Sequence, residues 1–329
     1  MASANLDLAP VADIQKLGTV PVIDLSAPWP QVVDEIAASC RDWGFFQVRG
    51  HGVPEKVMTD ALSAARAFFG QPRDAKRAYL RTVENPWGFY DRELTKNARD
   101  KKEVFDIGPD ATGQQPSGNA FEGRTRWPAE PTRFRLAIET YVAAADQVTA
   151  LLLRAIGEGL GASQAISNAF NPAHSSFLRL NHYTIEDPMA GEQSDDVGLG
   201  VHHHSDAGAL TLLWQSDTAG LQVYRDGHWY GIPPIHDAFV INIGDMMQVW
   251  SNDHYTAPQH RVIAMDQVDR FSFPYFCNPS YHAIIAPLGA VEPHYRPINW
   301  GEFRRKRADG DFADYGSEIQ ISDYRISAP

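Results

Sequence analysis

From residue 177 onward the chain is cut into short apolar runs by turn residues, and that punctuation limits the folds open to it. The runs are 177–183, 210–214, 221–224, 239–243, 260–263 and 271–276, separated by Gly, Asp, Asn and Pro. Strands at this spacing predict an antiparallel sandwich or barrel. The first half reads differently. Residues 20–25 form a short strand, and 31–43 a helix with Val32, Val33, Ile36 and Cys40 on one face, ended by Gly44. A strand at 45–48, the turn Gly50-His51-Gly52-Val53-Pro54 and a helix at 55–69 follow. Residues 82–127 are polar with scattered Gly and Pro, and read as loops with short elements, a kind of segment that is often functional. Pro131 opens the clearest helix, at the first helical position. Phe134, Ile138, Tyr141, Ala145, Val148, Leu152 and Ile156 trace its buried face, and Gly157, Gly159 and Gly161 close it. Residues 300–307 read as helix again. The expected fold class is α+β with a mainly β core: a helix-rich region over 1–174 packed against a β region over 175–329. No flexible linker divides them, so one continuous unit is expected.

Charge and cysteine usage narrow the function classes. Among 329 residues, 29 Lys and Arg face 41 Asp and Glu, a formal net charge of −12. That balance argues against general nucleic-acid binding and against an anionic membrane surface. Cys40 and Cys277 are too few for a disulfide framework or a cysteine-rich zinc site. Residues 1–11 lack a basic, then apolar, leader pattern, and no stretch approaches the roughly 20 apolar residues of a membrane span. The expectation is a cytoplasmic enzyme with no nucleic-acid or membrane partner. Oligomeric state is not written in the sequence; a monomer is the default.

The chemistry sits in the β half. His204-Ser205-Asp206 places an imidazole and a carboxylate two residues apart, and side chains two apart on a strand share a face. His260 follows in Pro258-Gln259-His260-Arg261-Val262. Two His and one carboxylate leave three positions open on a metal, the arrangement of non-haem Fe(II) oxygenases. Arg270-Phe271-Ser272 lies ten residues further on. A guanidinium can grip a carboxylate through two parallel hydrogen bonds, and a neighbouring hydroxyl can add a third. His202 and His203 precede the candidate ligand, but only His204 has Asp two residues on. His236, His254 and His282 are structural by default.

These residues stand in a longer ordered set. It runs through Val20-Pro21-Val22-Ile23-Asp24-Leu25, Trp43-Gly44-Phe45-Phe46-Gln47-Val48 and His51-Gly52-Val53. It continues with Lys102-Glu103-Val104-Phe105-Asp106-Ile107-Gly108, Leu180-Asn181-His182-Tyr183 and His204-Ser205-Asp206-Ala207-Gly208-Ala209-Leu210-Thr211-Leu212-Leu213. Gly220-Leu221-Gln222-Val223, Asn242-Ile243-Gly244-Asp245, Trp250-Ser251-Asn252-Asp253, His260-Arg261-Val262 and Arg270-Phe271-Ser272 complete it. The chain resembles, over most of its length, the isopenicillin N synthase-like group of 2-oxoglutarate/Fe(II) dioxygenases. The resemblance implies a double-stranded β-helix, or jelly roll, flanked by helices. It implies iron on His204, Asp206 and His260, with 2-oxoglutarate and O2 as co-substrates. Arg270 and Ser272 would hold the distal carboxylate of 2-oxoglutarate, and Asn181 and Tyr183 would lie near its other end. The implied reaction hydroxylates or desaturates a small organic molecule while 2-oxoglutarate becomes succinate and CO2.

By the same resemblance Phe89, Phe105, Phe276 and Asn278 border the substrate, although the aromatic rings suit core packing equally. Three other readings compete with this one. An oxidase of the same fold needs no 2-oxoglutarate, and Arg-x-Ser occurs there too. A non-catalytic small-molecule binding protein would have a broken metal triad, whereas this one is intact. A zinc hydrolase would need a general-base Glu beside the metal motif, as in His-Glu-x-x-His, and none is present.

Overall fold

The computed structural model describes residues 20–82, 84–95, 98–112, 123–129, 133–171, 173–187, 189, 199–289, 292–312 and 319–326. Along the chain, β1 (Val22–Asp24) leads to α1 (Trp29–Asp42), β2 (Phe45–Arg49), α2 (Glu55–Phe69) and α3 (Arg73–Arg77). Next come β3 (Gly88–Tyr90), β4 (Leu94–Thr95), β5 (Ala98–Arg99) and β6 (Glu103–Ile107), then α4 (Phe134–Gly159) and α5 (Ser163–Ala169). The β half holds β7 (Phe177–Tyr183), β8 (Leu199–His204), β9 (Leu210–Gln215), β10 (Leu221–Arg225), β11 (His228–Gly231) and β12 (Phe239–Ile243). After α6 (Asp245–Trp250) come β13 (His260–Ile263), β14 (Arg270–Cys277), β15 (Ile284–Ile285), β16 (Ile298–Asn299) and α7 (Trp300–Phe312).

Two of these elements follow directly from single residues. Gly44 ends α1 in the left-handed region (φ +63°), its N–H donates to the Ser39 carbonyl, and a Cβ there would sit 2.3 Å from the Thr256 carbonyl oxygen. In α4, Phe134, Ile138, Tyr141, Ala145, Val148, Leu152 and Ile156 are buried at three/four spacing against α1, α2 and β14. Arg133 is its N-cap; Pro131 lies outside the described residues. By length and composition alone α4 could cross a membrane, a stretch that the composition argument passed over. Here it is the central core helix.

Eight strands form one sheet in the order β1-β2-β12-β9-β14-β7-β6-β3, and four form a second in the order β11-β10-β13-β8. The pairing is antiparallel except between β1 and β2. The larger sheet draws β1, β2, β3 and β6 from before residue 174, so the expected division falls inside one sheet. Within 82–127, read as loops with short elements, the described residues include the short strands β3 and β6, which extend that sheet edge. The sheets face one another through Val201, Leu213, Leu221, Val223, Val240 and Val262, which is the jelly roll.

Period-two alternation gives the larger sheet two unlike faces. Leu178, Leu180, Leu210, Leu212, Phe271, Phe273, Tyr275 and Cys277 join Phe68, Ile138, Tyr141 and Leu152 in the core under the helices. Each fully buried Phe or Leu there contributes about 1.5–3 kcal/mol. The alternate residues Asn181, Tyr183, Thr211, Leu213, Arg270, Ser272, Pro274 and Phe276 line a cavity of about 170 Å³ between the sheets.

Candidate active site

His204 closes β8 and His260 opens β13, and the two are direct cross-strand partners with ring centroids 4.3 Å apart. Asp206 joins them by a route other than the expected one. β8 stops at His204, so Asp206 is carried in by the turn that follows rather than by strand alternation. The convergence holds nonetheless: Asp206 Oδ1 is 3.5 Å from His204 Nε2 and 3.6 Å from His260 Nε2. One ligand atom from each of the three lies within 4.8 Å of the others, a set that could hold a metal ion.

The surroundings aim these atoms inward. Nδ1–H of His204 donates to the His202 carbonyl at 2.8 Å, and Nδ1–H of His260 donates to the Pro258 carbonyl at 3.3 Å. Each Nε2 lone pair is thereby left for a metal. Asp206 Oδ2 accepts from the Thr211 hydroxyl and, at 2.8 Å, from the Asn242 amide, leaving Oδ1 to face the imidazoles. Burial opposes ionisation of Asp206, but at the low pH where it would take up a proton the imidazoles are protonated, and the His260 charge, the His204 hydrogen bond and charge, and the Thr211 hydroxyl outweigh it. The carboxyl is held far below its usual range. Burial, reinforced by His204, pushes His260 down to about 4, so it is neutral and able to ligate near pH 7.

The turn itself is clamped from behind. The Asp245 N–H donates to the Asp206 carbonyl at 2.7 Å and the Met246 N–H to the Gly208 carbonyl at 3.0 Å. Gly244 permits that approach, because a Cβ there would lie 2.2 Å from the Gly208 oxygen. His202 does not turn toward the cluster; its ring bonds Asp100 at 3.0 Å.

Deeper between the sheets, Arg270 pairs across the ladder with Tyr183, and Ser272 with Asn181. The Asn181 amide donates to the Ser272 hydroxyl at 3.3 Å. Arg270 is fully buried. Its Nη2 donates to Gln215 Oε1 at 3.0 Å and its guanidinium lies 4.8 Å from the centre of the Tyr183 ring. Its Nε and Nη1, and Asn181 Oδ1, find no partner among the described residues. Burial weakens the guanidinium's hold on its proton, with Tyr183 opposing that effect. A buried cation with unmet donors is costly, and a bidentate carboxylate is the group that satisfies it. The two-His, one-carboxylate cluster fits Fe(II), and the orphaned guanidinium fits the distal carboxylate of 2-oxoglutarate.

Phe276 and Asn278 line the cavity, and the Phe276 ring stacks on Phe177 with centroids 4.7 Å apart. Phe89 and Phe105 do not line it. Both are fully buried on the helix side, edge-on to Phe68 at 6.0 and 4.9 Å, because β3 and β6 turn those positions toward α2. No local pattern announces the closed charge ring at the cavity, where Glu93 and Arg179 are lining residues. Arg81 and Arg179 each contact both Glu93 and Asp106, at 2.6–3.3 Å. Burial opposes it, but Arg179, Arg81 and Lys102 pull Glu93 down to about 2. Thr211, Asn242 and Gln215 were missed as well. Each is a polar residue inside an apolar strand, and a buried polar group in such a place needs a partner.

A two-His, one-Asp cluster beside a buried arginine, enclosed by two antiparallel sheets, defines a jelly-roll non-haem iron oxygenase. Residues 20–130 match the family described as non-haem dioxygenase in morphine synthesis N-terminal, and residues 174–279 match the 2OG-Fe(II) oxygenase superfamily. Protein DMR6-LIKE OXYGENASE 1 of Arabidopsis thaliana is 31% identical over 84% of this chain and 78% of its own length. Gibberellin 2-beta-dioxygenase 2 of Arabidopsis thaliana is 30% identical over 90% of this chain and 86% of its own. The crystal structure of JOX2 in complex with 2OG, Fe and JA superposes with a TM-score of 0.76 at 29% identity, covering 92% of this chain and 89% of that one. The chain belongs to the 2OG-Fe(II) oxygenase superfamily. It is a 2-oxoglutarate- and Fe(II)-dependent dioxygenase.

Proposed function

We propose that this dioxygenase holds Fe(II) on His204, Asp206 and His260 and 2-oxoglutarate on Arg270 and Ser272, and oxidises a small flat organic molecule seated against Phe177 and Phe276. The observation that carries the reading is the fully buried Arg270 guanidinium, with Nε and Nη1 unmet, on the same cavity as the three ligand atoms. When bound, Fe(II) with O2 and 2-oxoglutarate supplies an oxidant strong enough to break a C–H bond, with succinate and CO2 as co-products. The protein positions and excludes. Thr211 and Asn242 fix the Asp206 carboxylate, the His202 and Pro258 carbonyls fix the imidazoles, and Asn181 and Tyr183 flank the co-substrate. The stacked rings of Phe177 and Phe276 form an apolar wall for the substrate, with Asn278 and the Arg304 guanidinium, 5.6 Å from the centre of the Phe177 ring, as polar groups on the same cavity. The Arg81–Glu93–Arg179–Asp106 ring neutralises its own charge where Glu93 and Arg179 line the cavity, which favours a substrate recognised there by shape. Two buried, unpaired thiols, Cys40 and Cys277, support a reducing cytoplasmic setting.

The test is anaerobic absorption of the Fe(II)-loaded protein during stepwise addition of 2-oxoglutarate. A weak visible charge-transfer band that saturates in the parent, and needs far more 2-oxoglutarate in Arg270→Met, is expected. A band that titrates identically in both would overturn the role given to Arg270. No band at all, with iron confirmed bound, would overturn co-substrate chelation at this site.

A further inference from the structure

The turn that carries Asp206 leaves the ladder of β8, and α6 serves its Asp206 and Gly208 carbonyls but not that of Ser205. β8 ends at His204, so the carbonyl of Ser205, the residue between two of the metal-site side chains, falls beyond the ladder. Arg307 of α7 supplies its donor: Nη2 reaches the Ser205 oxygen at 3.1 Å. The other arm of the same guanidinium, Nη1, donates to the Ile319 carbonyl at 2.9 Å and to Gln320 Oε1 at 3.0 Å, and lies 3.8 Å from Asp245 Oδ2. Asp245 is the residue whose N–H holds the Asp206 carbonyl. Arg307 is only 4% exposed and lines the cavity.

The segment it grips is docked independently. Arg325 pairs with Asp253 through both Nη atoms at 2.9 and 3.1 Å, and Asp253 also takes the Tyr295 hydroxyl at 2.5 Å and the His294 ring at 2.7 Å. Backbone bonds join Arg296 to Tyr324 and Ile326 to His294. One planar, permanently charged fork thus spans the metal-site turn and the docked segment 319–326.

We infer that Arg307 is a positioning residue for the metal site, and that docking of residues 319–326 sets how tightly the site holds its ion. The inference rests on the reading of His204, Asp206 and His260 as the iron site. The guanidinium never touches the ion; it fixes the backbone between two ligands. Loss of it lets Ser205 and Asp206 shift, and the ligand carboxylate loses its aim.

The experiment uses the full chain loaded with Mn(II) and measures release to a competing chelator. Arg307→Met should weaken Mn(II) binding about 10–100-fold, the usual cost of losing a group that orients ligands. Arg307→Lys should recover part of that loss. Arg325→Ala, at a half-exposed side chain whose partners are Asp253 and Tyr295 and none of the three ligand residues, should weaken binding about two- to fivefold, the size of a partly exposed ion pair's contribution. It also keeps the test open if Arg307→Met does not fold. A purely structural role would lower the melting temperature of the metal-free protein and leave Mn(II) affinity within twofold in every variant, and that result overturns the inference. Asp206→Ala separates the two readings. If it fails to abolish Mn(II) binding, the site assignment falls; if it abolishes binding while Arg307→Met and Arg325→Ala are neutral, only the role of Arg307 falls.

Discussion

The two faces of β14 are eight residues of one strand put to opposite uses. Phe271, Phe273, Tyr275 and Cys277 point to the helices and make core; Arg270, Ser272, Pro274 and Phe276 point between the sheets and make the site. Backbone and ladder are shared, so the difference lies in the side chains and in what faces them. On the helix side, contacts are mostly apolar and the polar groups find partners: Phe273 stacks on Trp214 at 4.9 Å and meets Tyr141 edge-on at 5.8 Å. On the inner side, contacts are polar and incomplete, and Arg270 keeps two unmet nitrogens. Folding is supported by the satisfied face. Binding is left to the unsatisfied one, where a ligand completes what the protein does not.

Substitutions should therefore separate stability from chemistry according to face. The largest effect is expected at the metal cluster that the inner face looks onto. Asp206→Ala removes the one anionic ligand and should abolish turnover, a loss beyond about a thousandfold or about 4 kcal/mol of barrier, with succinate release as the readout. Removing this buried, strongly acidic carboxylate should spare the fold far more than the reaction. On the opposite face, Phe273→Ala opens a cavity at a fully buried position and should cost about 3–5 kcal/mol of stability by denaturant unfolding. In whatever fraction stays folded, the 2-oxoglutarate requirement should be unchanged. Arg270→Met inverts that pattern. Hydrogen bonds to a charged group contribute about 1.5–3 kcal/mol, so the 2-oxoglutarate concentration for half-maximal rate should rise about 10–100-fold, far more than that of the organic substrate. Without co-substrate the same variant should be as stable as the parent or more so, because a buried cation with unmet donors gives way to an apolar chain of similar length. Equal loss of stability at Arg270 and Phe273 would erase the distinction between the faces.

Much of this division was legible in the sequence, for a physical reason. Period two is a local rule, so Arg270 and Ser272 could be placed on one face without knowing what faced them. The buried stripe of α4 was legible in the same way. What escaped depended on partners distant in sequence. The aromatic character of Phe89 and Phe105 suits a cavity wall and a packed core alike, and what decides is the facing element, which is α2. The short β3 and β6 carry little pattern of their own; they are strands because β7 offers an open edge. Asp206 reached its place by a turn, although its spacing from His204 suggested a strand. The span from Arg307 to Ser205 covers 102 positions, and nothing local to either residue announces it.

The smallest expected effect probes a polar pair on the largely apolar face. Tyr275 reaches past its neighbours, and its hydroxyl donates to Asp146 Oδ1 on α4 at 2.7 Å, where His174 also approaches at 3.2 Å. Burial pushes the Tyr275 hydroxyl well above its ordinary range, and Asp146 reinforces this, so it stays a donor at any working pH. Partial burial opposes ionisation of Asp146, but the His174 and Tyr275 hydrogen bonds prevail and lower its pKa. A group whose pKa is lowered by folding stabilises the native state above its unfolded value, about 3.9, and loses that contribution as pH falls through the folded value. Tyr275→Phe should therefore cost stability at pH 7, and the difference from the parent should shrink below about pH 4. The Asp146 side chain is 41% exposed and keeps His174, so the cost belongs at the low end of a charge-assisted bond, about 1 kcal/mol. Denaturant midpoints at pH 7 and pH 3.5 measure it directly. A change in 2-oxoglutarate affinity in this variant would mean that the sheet transmits strain from one face to the other. No such change would mean that a strand can carry core and site back to back without either disturbing the other.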